Sequence, residues 1–359
     1  MPANDPTPVE LMLGKVKGWS DQLLHDLFGK PRTQSGKDRL ARLREEEPKK
    51  HVVVLRLGAL GDIVLCFQAF HEIQQAYPDA EIALITMPAF ADFASKMPWF
   101  NRVMIDQRPA ASEIAKWLKL TKQIREFKPL RIFDLQGKPR QAVLFALLGG
   151  PFGPQWSGAA PMCSHPRLAQ PSPGMHFVDF VAAQLQLANV PPRGPADVSW
   201  FNDPLDGFEL PQRFAILVPG GAAHRQYKRW PARNYAELAK KLQDKGITSL
   251  AVGTEQDADS IATMRSFFPG VVDFSGRTTI MQLAGLARRA QCVVANDTGP
   301  MHVAAAVGAP TLGLMSEQVD AKWSAPRGPK AKYIQGKPLS GLDVDKVFLA
   351  LREFLDQKG

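Results

Sequence analysis

The chain has 359 residues, 45% of them hydrophobic, and a formal net charge of +9 with a pI near 9.5. It is long enough for two domains with cores of their own, and its charge points to anionic partners: phosphates, acidic lipids or nucleic acid. Cys66, Cys163 and Cys292 are odd in number and far apart, which argues against a disulfide framework or a metal cluster and for a reducing compartment, while the lack of a zinc-spacing, RNP-like or helix-turn-helix signature argues against nucleic acid.

Residues 1–50 differ in character from the rest. No secretory signal opens the chain, whose first residues are polar and proline-bearing. Val9, Met12, Leu13, Val16, Trp19, Leu23, Leu24 and Leu27 recur at helical spacing and predict an amphipathic helix. Lys30, Arg32, Lys37, Arg39, Arg42 and Arg44 follow, interrupted by Asp38. Two readings fit this extension: a foot on an anionic membrane surface, or a helix packed on its own domain followed by a solvated linker. The most apolar stretch of the chain, Val52 to Phe70, carries Arg56 and Asp62 and is too broken to span a bilayer. A soluble cytoplasmic protein is expected.

A short, β-branched run at 52–57 reads as a buried parallel strand. It leads into RLGALGDIVL, residues 56–65, where Gly58 and Gly61 supply a turn before a predicted helix at 63–77. Strand, glycine turn and helix is where α/β proteins bind phosphates and do chemistry. Asp62 therefore has two readings at this point, helix cap or catalytic carboxylate. Further strands are predicted at Ile82–Thr86, Val103–Ile105 and Ile132–Leu135, with helices near 89–96 and 111–127. Such alternation gives a parallel sheet with helices on both faces. Residues 149–175, rich in Gly and Pro, read as loop, and a helix near 176–188 precedes a Pro-rich interdomain linker at 191–211.

The pattern then restarts. Strands are predicted at Phe214–Val218, Thr248–Val252, Val271–Phe274, Cys292–Ala295 and Thr311–Leu314, with helices beginning near Ala232 and 255 and at 279–289 and 300–307. Ligands in such sheets sit at the carboxyl ends of strands, so two facing sheets would form a cleft with Asp62 on one wall. In the second half, ANDTGPMHVAAAVGAP at 295–310 opens a helix with Pro300 near its first position. Free amides there, approached past Thr298 and Gly299, make an anion site to which His302 could add a donor. The plainer reading is that Asp297 and Thr298 only cap and that His302 is packed. PGGAAHRQYKRWP at 219–231 places Lys228 after a glycine turn, as a point charge for a phosphate. VGTEQD at 252–257 puts Glu255 at a strand-to-helix junction, where a carboxylate can accept both hydroxyls of a ribose. Together they favour a nucleotide diphosphate.

L-G-D early, K-R-W-P in the middle and N-D-T-G-P-M-H late resemble bacterial glycosyltransferase family 9, the family of the ADP-heptose:lipopolysaccharide heptosyltransferases, over roughly residues 51–320. The resemblance implies a GT-B fold: two Rossmann-like domains whose parallel sheets face an interdomain cleft. It places acceptor binding at 51–205 and nucleotide-sugar binding at 212–335, with residues 1–50 as an extension outside the family core. The family's last helix crosses back to the first domain, which implies the same for the helix at 343–357, built on Val344 to Leu355. Motif matching puts the catalytic base on Asp62, the phosphate lysine on Lys228 and nucleotide contacts on Asp297, Thr298, Gly299 and His302, with Glu255 as the ribose acid. FDLQGKPR at 133–140 resembles the acceptor-side segment, so Gln136, Lys138 and Arg140 are acceptor-side candidates, together with Gly61 of L-G-D.

The implied reaction is a single inverting displacement that moves a heptose from ADP-heptose to a lipid-linked glycan. It needs one base, no protein nucleophile, no cofactor and no metal, with Lys228 and the helix start stabilising the leaving diphosphate. A lipid-linked acceptor also implies peripheral contact with the cytoplasmic face of the inner membrane. The sequence departs from the family at Ala222-Ala223-His224-Arg225, where small hydroxyl residues are usual, and at Lys138-Pro139-Arg140. Two other classes are weighed. A nicotinamide dehydrogenase would need G-x-G-x-x-G with an acid about twenty residues later, which neither half carries. A non-catalytic sugar-nucleotide-binding or lipid-binding module would keep the charge but need no base at Asp62.

Overall fold

The computed structural model describes residues 50–222 and 224–356. The amphipathic helix and basic stretch expected within residues 1–49 lie outside the described residues.

The first half runs β1 (His51–Leu55), α1 (Leu60–Val64), α2 (Phe67–Ala76), β2 (Glu81–Thr86), α3 (Ala91–Ser95), β3 (Arg102–Ile105), α4 (Ile114–Phe127), β4 (Arg131–Asp134), α5 (Pro139–Leu147), β5 (Gln155–Gly158), β6 (His165–Pro166) and α6 (Phe177–Leu187). The second runs β7 (Phe214–Val218), α7 (Ala232–Gln243), β8 (Thr248–Gly253), α8 (Ala258–Phe267), β9 (Val272–Ser275), α9 (Ile280–Arg289), β10 (Cys292–Asn296), α10 (Gly299–Ala306), β11 (Thr311–Ser316), α11 (Ala321–Ser324), β12 (Ala331–Gly336) and α12 (Val344–Leu355).

Two six-stranded sheets result, in the orders β3-β2-β1-β4-β5-β6 and β12-β11-β10-β7-β8-β9, and every strand pair is parallel. Counted from its own first strand, the second sheet repeats the order of the first. Each is therefore a doubly wound sheet whose strand order reverses at one place: between β1 and β4 in one, and between β7 and β10 in the other. Ligands bind at the carboxyl ends of strands at such a reversal. The segments leaving those four strands carry Asp62, Gln136, Lys228 and Asp297.

The strand period divides the core. Val52 and Val54 of β1 share one cluster with Phe214, Ile216 and Val218 of β7, whereas Val53 and Leu55 pack into another with Trp117, Leu120 and Ile124 of α4. Ala215 and Leu217 face the α7 side. A single apolar core thus runs between the two sheets. α4 shows the helical counterpart: Trp117, Leu120, Thr121, Ile124 and Phe127 are its buried stripe, and it stops at Lys128 in a left-handed conformation, φ 49°.

Several expectations need correction. Residues 149–175 hold β5 and the edge strand β6, which a Gly- and Pro-rich segment does not advertise; pairing of β5 to β4 and of β6 to β5 specifies them. The polar edge strand β12 and the helix α5 were likewise not expected. The helix predicted at 63–77 is two helices, α1 and α2, with Leu65 and Cys66 between them. Residues 191–211 form no helix or strand, yet they are more than a tether: Phe201 is fully buried among Phe67, Phe93 and Trp200. Finally, α12 does not cross to the first sheet. Val347, Leu351 and Phe354 bury against the α7 face of the second sheet with Leu217, Trp230 and Tyr235, and Trp230 Nε1 donates to Leu342 O at 2.9 Å just before it. Its apolar stripe matches the nearer face.

Candidate functional site

At the first sheet's reversal, Asp62 sits in the third position of α1, behind the N-cap Ala59. Its Oδ2 accepts the Ala59 N–H at 3.1 Å, so it does cap the helix, from inside the first turn. Its Oδ1 lies 3.3 Å from Nη2 of Arg56, and the Asp62 side chain is 48% exposed while that of Arg56 is 4% exposed. Arg56 is held in turn: it donates to the Leu135 and Asp62 carbonyls and lies 4.8 Å above the Phe177 ring. A buried, fixed guanidinium thus aims a half-exposed carboxylate.

The neighbouring strand β4 ends in Asp134, whose Oδ1 accepts the N–H groups of Gln136 and Gly137 at 3.1 and 2.8 Å. Gln136 Oε1 then accepts the Leu57 N–H at 3.1 Å, tying this loop to the one that precedes Asp62. Lys138 is exposed at the N-cap of α5. Arg140 is a different case. Its Nη1 and Nη2 donate to both oxygens of the fully buried Asp106 at 2.5 and 2.7 Å, and its guanidinium lies 4.3 Å over the Trp117 ring. It is a strut between β3 and α5, so this acceptor-side candidate is already paired with a carboxylate.

At the second reversal the organiser is Asn296, fully buried at the end of β10. Its Nδ2 donates to the Pro219 and Gly220 carbonyls at 2.9 and 3.0 Å, and its Oδ1 accepts from the Trp230 N–H and the Tyr235 hydroxyl, both at 3.1 Å. One amide therefore joins the glycine turn, the K-R-W-P segment and α7. Asn296 precedes Asp297 in N-D-T-G-P-M-H, but the partners of a buried amide cannot be read from a motif. Asp257 was missed in the same way: its carboxylate accepts from Gly221 N–H at 3.0 Å and from Thr254 N–H and hydroxyl at 2.9 Å, and a methyl on Gly220 would lie 2.2 Å from its Cγ. Glu255, its neighbour, is exposed beside Gly276.

Lys228 closes a short 3-10 turn, Gln226–Lys228, and its Nζ donates to Asp297 Oδ2 at 2.5 Å; the two side chains are 15% and 7% exposed. Thr298 donates to the Asn296 carbonyl at 3.1 Å and precedes Gly299, the first residue of α10, with Pro300 behind it. The two reversals then meet. A methyl on Gly61 would sit 2.4 Å from Cδ2 of His302, and one on Gly299 would sit 2.9 Å from Cβ of Leu60. The starts of α1 and α10 face each other in contact, so the cleft walls touch at this point. His302 is buried, and its Nδ1 has no hydrogen-bond partner. Burial pushes its imidazole down to about 4, against the pull of Asp297 and Asp62, and keeps it neutral.

Loss of Asn296 exposes the cost of this arrangement. Asn296→Ala would orphan buried groups on three segments at once, and should destabilise the fold by about 3 kcal/mol. Urea unfolding measures it, and a midpoint equal to that of the unmodified chain would contradict the role.

Two buried groups set opposite pH trends. Burial raises Asp134 from 3.8 to about 6, so between these values the folded state binds the extra proton and stability falls as pH rises. His302 is lowered from 6.5 to about 4, so between those values the unfolded state binds the extra proton and stability rises with pH. Across pH 4–6 the two offset each other. Asp134→Asn should uncover the histidine's contribution as a stability that climbs from pH 4 to 6.5, read as melting temperature against pH. A profile as flat as that of the unmodified chain would rule this out.

The profile of Glycosyltransferase family 9 (heptosyltransferase) matches residues 117–338. The lipopolysaccharide core heptosyltransferase OpsX of Haemophilus influenzae is 23% identical over 283 residues, 75% of this chain and 79% of that protein. The solved structure of Escherichia coli ADP-heptose lps heptosyltransferase II superposes with a TM-score of 0.69 at 23% identity, covering 86% of this chain and 99% of the other. Escherichia coli heptosyltransferase WaaC, solved with ADP, gives 0.70 at 18% identity, with 85% and 99% covered. The likeness to these structures establishes the fold as GT-B. Among the described residues no helix is long and apolar enough to cross a membrane.

Proposed function

The chain belongs to glycosyltransferase family 9, and from that premise we propose that it moves a heptose from ADP-heptose to a glycan of the lipopolysaccharide type, inverting the anomeric centre with Asp62 as general base. The observation that carries this reading is the meeting of the two sheet reversals, one bearing an aimed carboxylate and the other a lysine beside a helix start. Relatives named for lipopolysaccharide heptosyl transfer and a neighbour solved with ADP support the choice of donor and acceptor.

In this mechanism an acceptor hydroxyl attacks the anomeric carbon while Asp62 takes its proton. The bond from that carbon to the diphosphate breaks, and ADP leaves with the electron pair. Arg56 orients Asp62 through both the carboxylate and its backbone carbonyl. Lys228 turns from Asp297 toward the diphosphate, and the amides opening α10 beyond Thr298 add donors where negative charge develops. Neutral His302 contributes shape and a hydrogen-bonding nitrogen rather than charge. Glu255 accepts from the ribose hydroxyls. On the acceptor side Gly61 leaves room at the contact, Gln136 sets the loop and Lys138 meets an anionic acceptor group.

Nucleotide sugars added to the full chain test the donor. A ligand at a hundredfold excess over its Kd stabilises by about 2.7 kcal/mol, so ADP-heptose should raise the melting temperature. A shift with UDP- or GDP-sugars and none with ADP-heptose would overturn the assignment.

A further inference from the structure

The second sheet has two ends, and the reaction proposed above uses only the carboxyl end. At the amino end, the residues that lead into three adjacent strands, Gln291 before β10, Pro310 before β11 and Lys330 before β12, line one cavity of about 440 Å³. That volume lies in the range of small-molecule sites, about 300–1,000 Å³. β10 is five residues long, so about 16 Å of strand separates this cavity from the end that carries Asp297. Its floor is apolar, made by the buried side chains of Val307 and Ala309, which follow α10, and of Phe354 from α12.

The wall is cationic. Arg288, Arg289 and Lys330 line it, and among the described residues no carboxylate does. Cations here have a plain structural use, because α9 and α10 both end at this place and the last carbonyls of a helix carry partial negative charge. Arg288 meets that need: its Nη1 donates to the Val307 carbonyl, at the C-cap of α10, at 3.1 Å, and its Nη2 to the Val198 carbonyl at 2.6 Å. Arg289 and Lys330 are not used in this way. Both are exposed, and neither side chain has a hydrogen-bond or ion-pair partner among the described residues. Lys332, two residues further on, is by contrast taken by Glu353 at 2.9 Å. Two cations are thus left uncompensated above an apolar floor.

We propose that this cavity binds a small phosphate monoester, with its phosphate between Arg289 and Lys330 and its organic half on the floor at Phe354. A phosphate dianion matches the two spare charges, and a guanidinium offers it two parallel donors. Inorganic phosphate would satisfy the cations but leave the floor in water. The inference does not rest on the proposed reaction, and binding is read without turnover.

The test is calorimetric titration of the full chain with phenyl phosphate, in saturating ADP so that the cleft is filled. One saturable site is expected, with inorganic phosphate binding about tenfold more weakly because it buries no ring. Arg289→Gln/Lys330→Gln should weaken phenyl phosphate about tenfold, as two partly exposed ion pairs would. Both positions are exposed and lie at the end of the sheet away from Lys228, so melting temperature and ADP affinity should stay at the parent's values. Absence of saturable binding, or equal binding by the double variant, would overturn the proposal, the second outcome placing the ester in the cleft. Inorganic phosphate binding as tightly as phenyl phosphate would overturn the assignment to an ester. Failure of ADP itself to bind would sink the donor assignment instead, and the comparison of parent with double variant would still decide this site.

Discussion

Asp62→Asn is expected to lower turnover by about 10²–10⁴-fold while leaving ADP affinity near that of the parent. The amide keeps an oxygen for the Ala59 N–H, which Asp62 Oδ2 accepts at 3.1 Å, so the first turn of α1 is preserved. It cannot take a proton from an attacking hydroxyl. The ion pair to Arg56 is also lost, but Asp62 is half-exposed and solvent screening keeps that stability term small. The proposed partners of ADP, Lys228 and the start of α10, stand on the other wall and do not change. A rate assay paired with calorimetric titration of ADP separates the readings. Normal turnover would return Asp62 to a capping role, and a joint loss of turnover and ADP affinity would mean that the wall itself had moved.

Lys228→Ala is expected to do the reverse. One charged hydrogen bond to the diphosphate is worth about 1.5–3 kcal/mol, so ADP should bind roughly 10- to 100-fold more weakly. Stability should fall too. The mutation strands Asp297, whose side chain is 7% exposed and whose partner lay at 2.5 Å, and removing one half of such a buried pair typically costs about 3–5 kcal/mol. The double variant Lys228→Ala/Asp297→Asn tells the two effects apart: it should recover most of the lost stability and none of the ADP affinity. Unchanged ADP binding in the single variant would remove Lys228 from the donor site.

The parallel sheets were legible because central strands such as Val52–Leu55 and Phe214–Val218 are continuous apolar runs, and such runs need little context to be recognised. Three strands toward the sheet margins were not. β5, β6 and β12 are short or polar and exist because a neighbour offers them hydrogen bonds, which no local pattern encodes, whereas the edge strands β3 and β9 carry enough apolar residues to be read. The placement of α12 failed for a related reason, since an amphipathic stripe shows that a helix packs but not against which face. In the site, the residues that carry charge stood out at strand ends, Asp62 and Lys228 among them. The residues that hold them did not. Arg56 aims Asp62 from inside an apolar run, Asn296 ties three segments by one buried amide, and Arg140 is taken by Asp106, which lies more than thirty residues away in sequence.

The most direct measurement is ADP release by the full chain given ADP-heptose and a lipopolysaccharide acceptor lacking heptose. The account predicts ADP in amounts equal to the heptose transferred, only when donor and acceptor are both present, and a rate about 10²–10⁴-fold lower with Asp62→Asn. A chain that binds ADP-heptose yet releases no ADP with such acceptors would contradict it and leave a sugar-nucleotide-binding protein in its place.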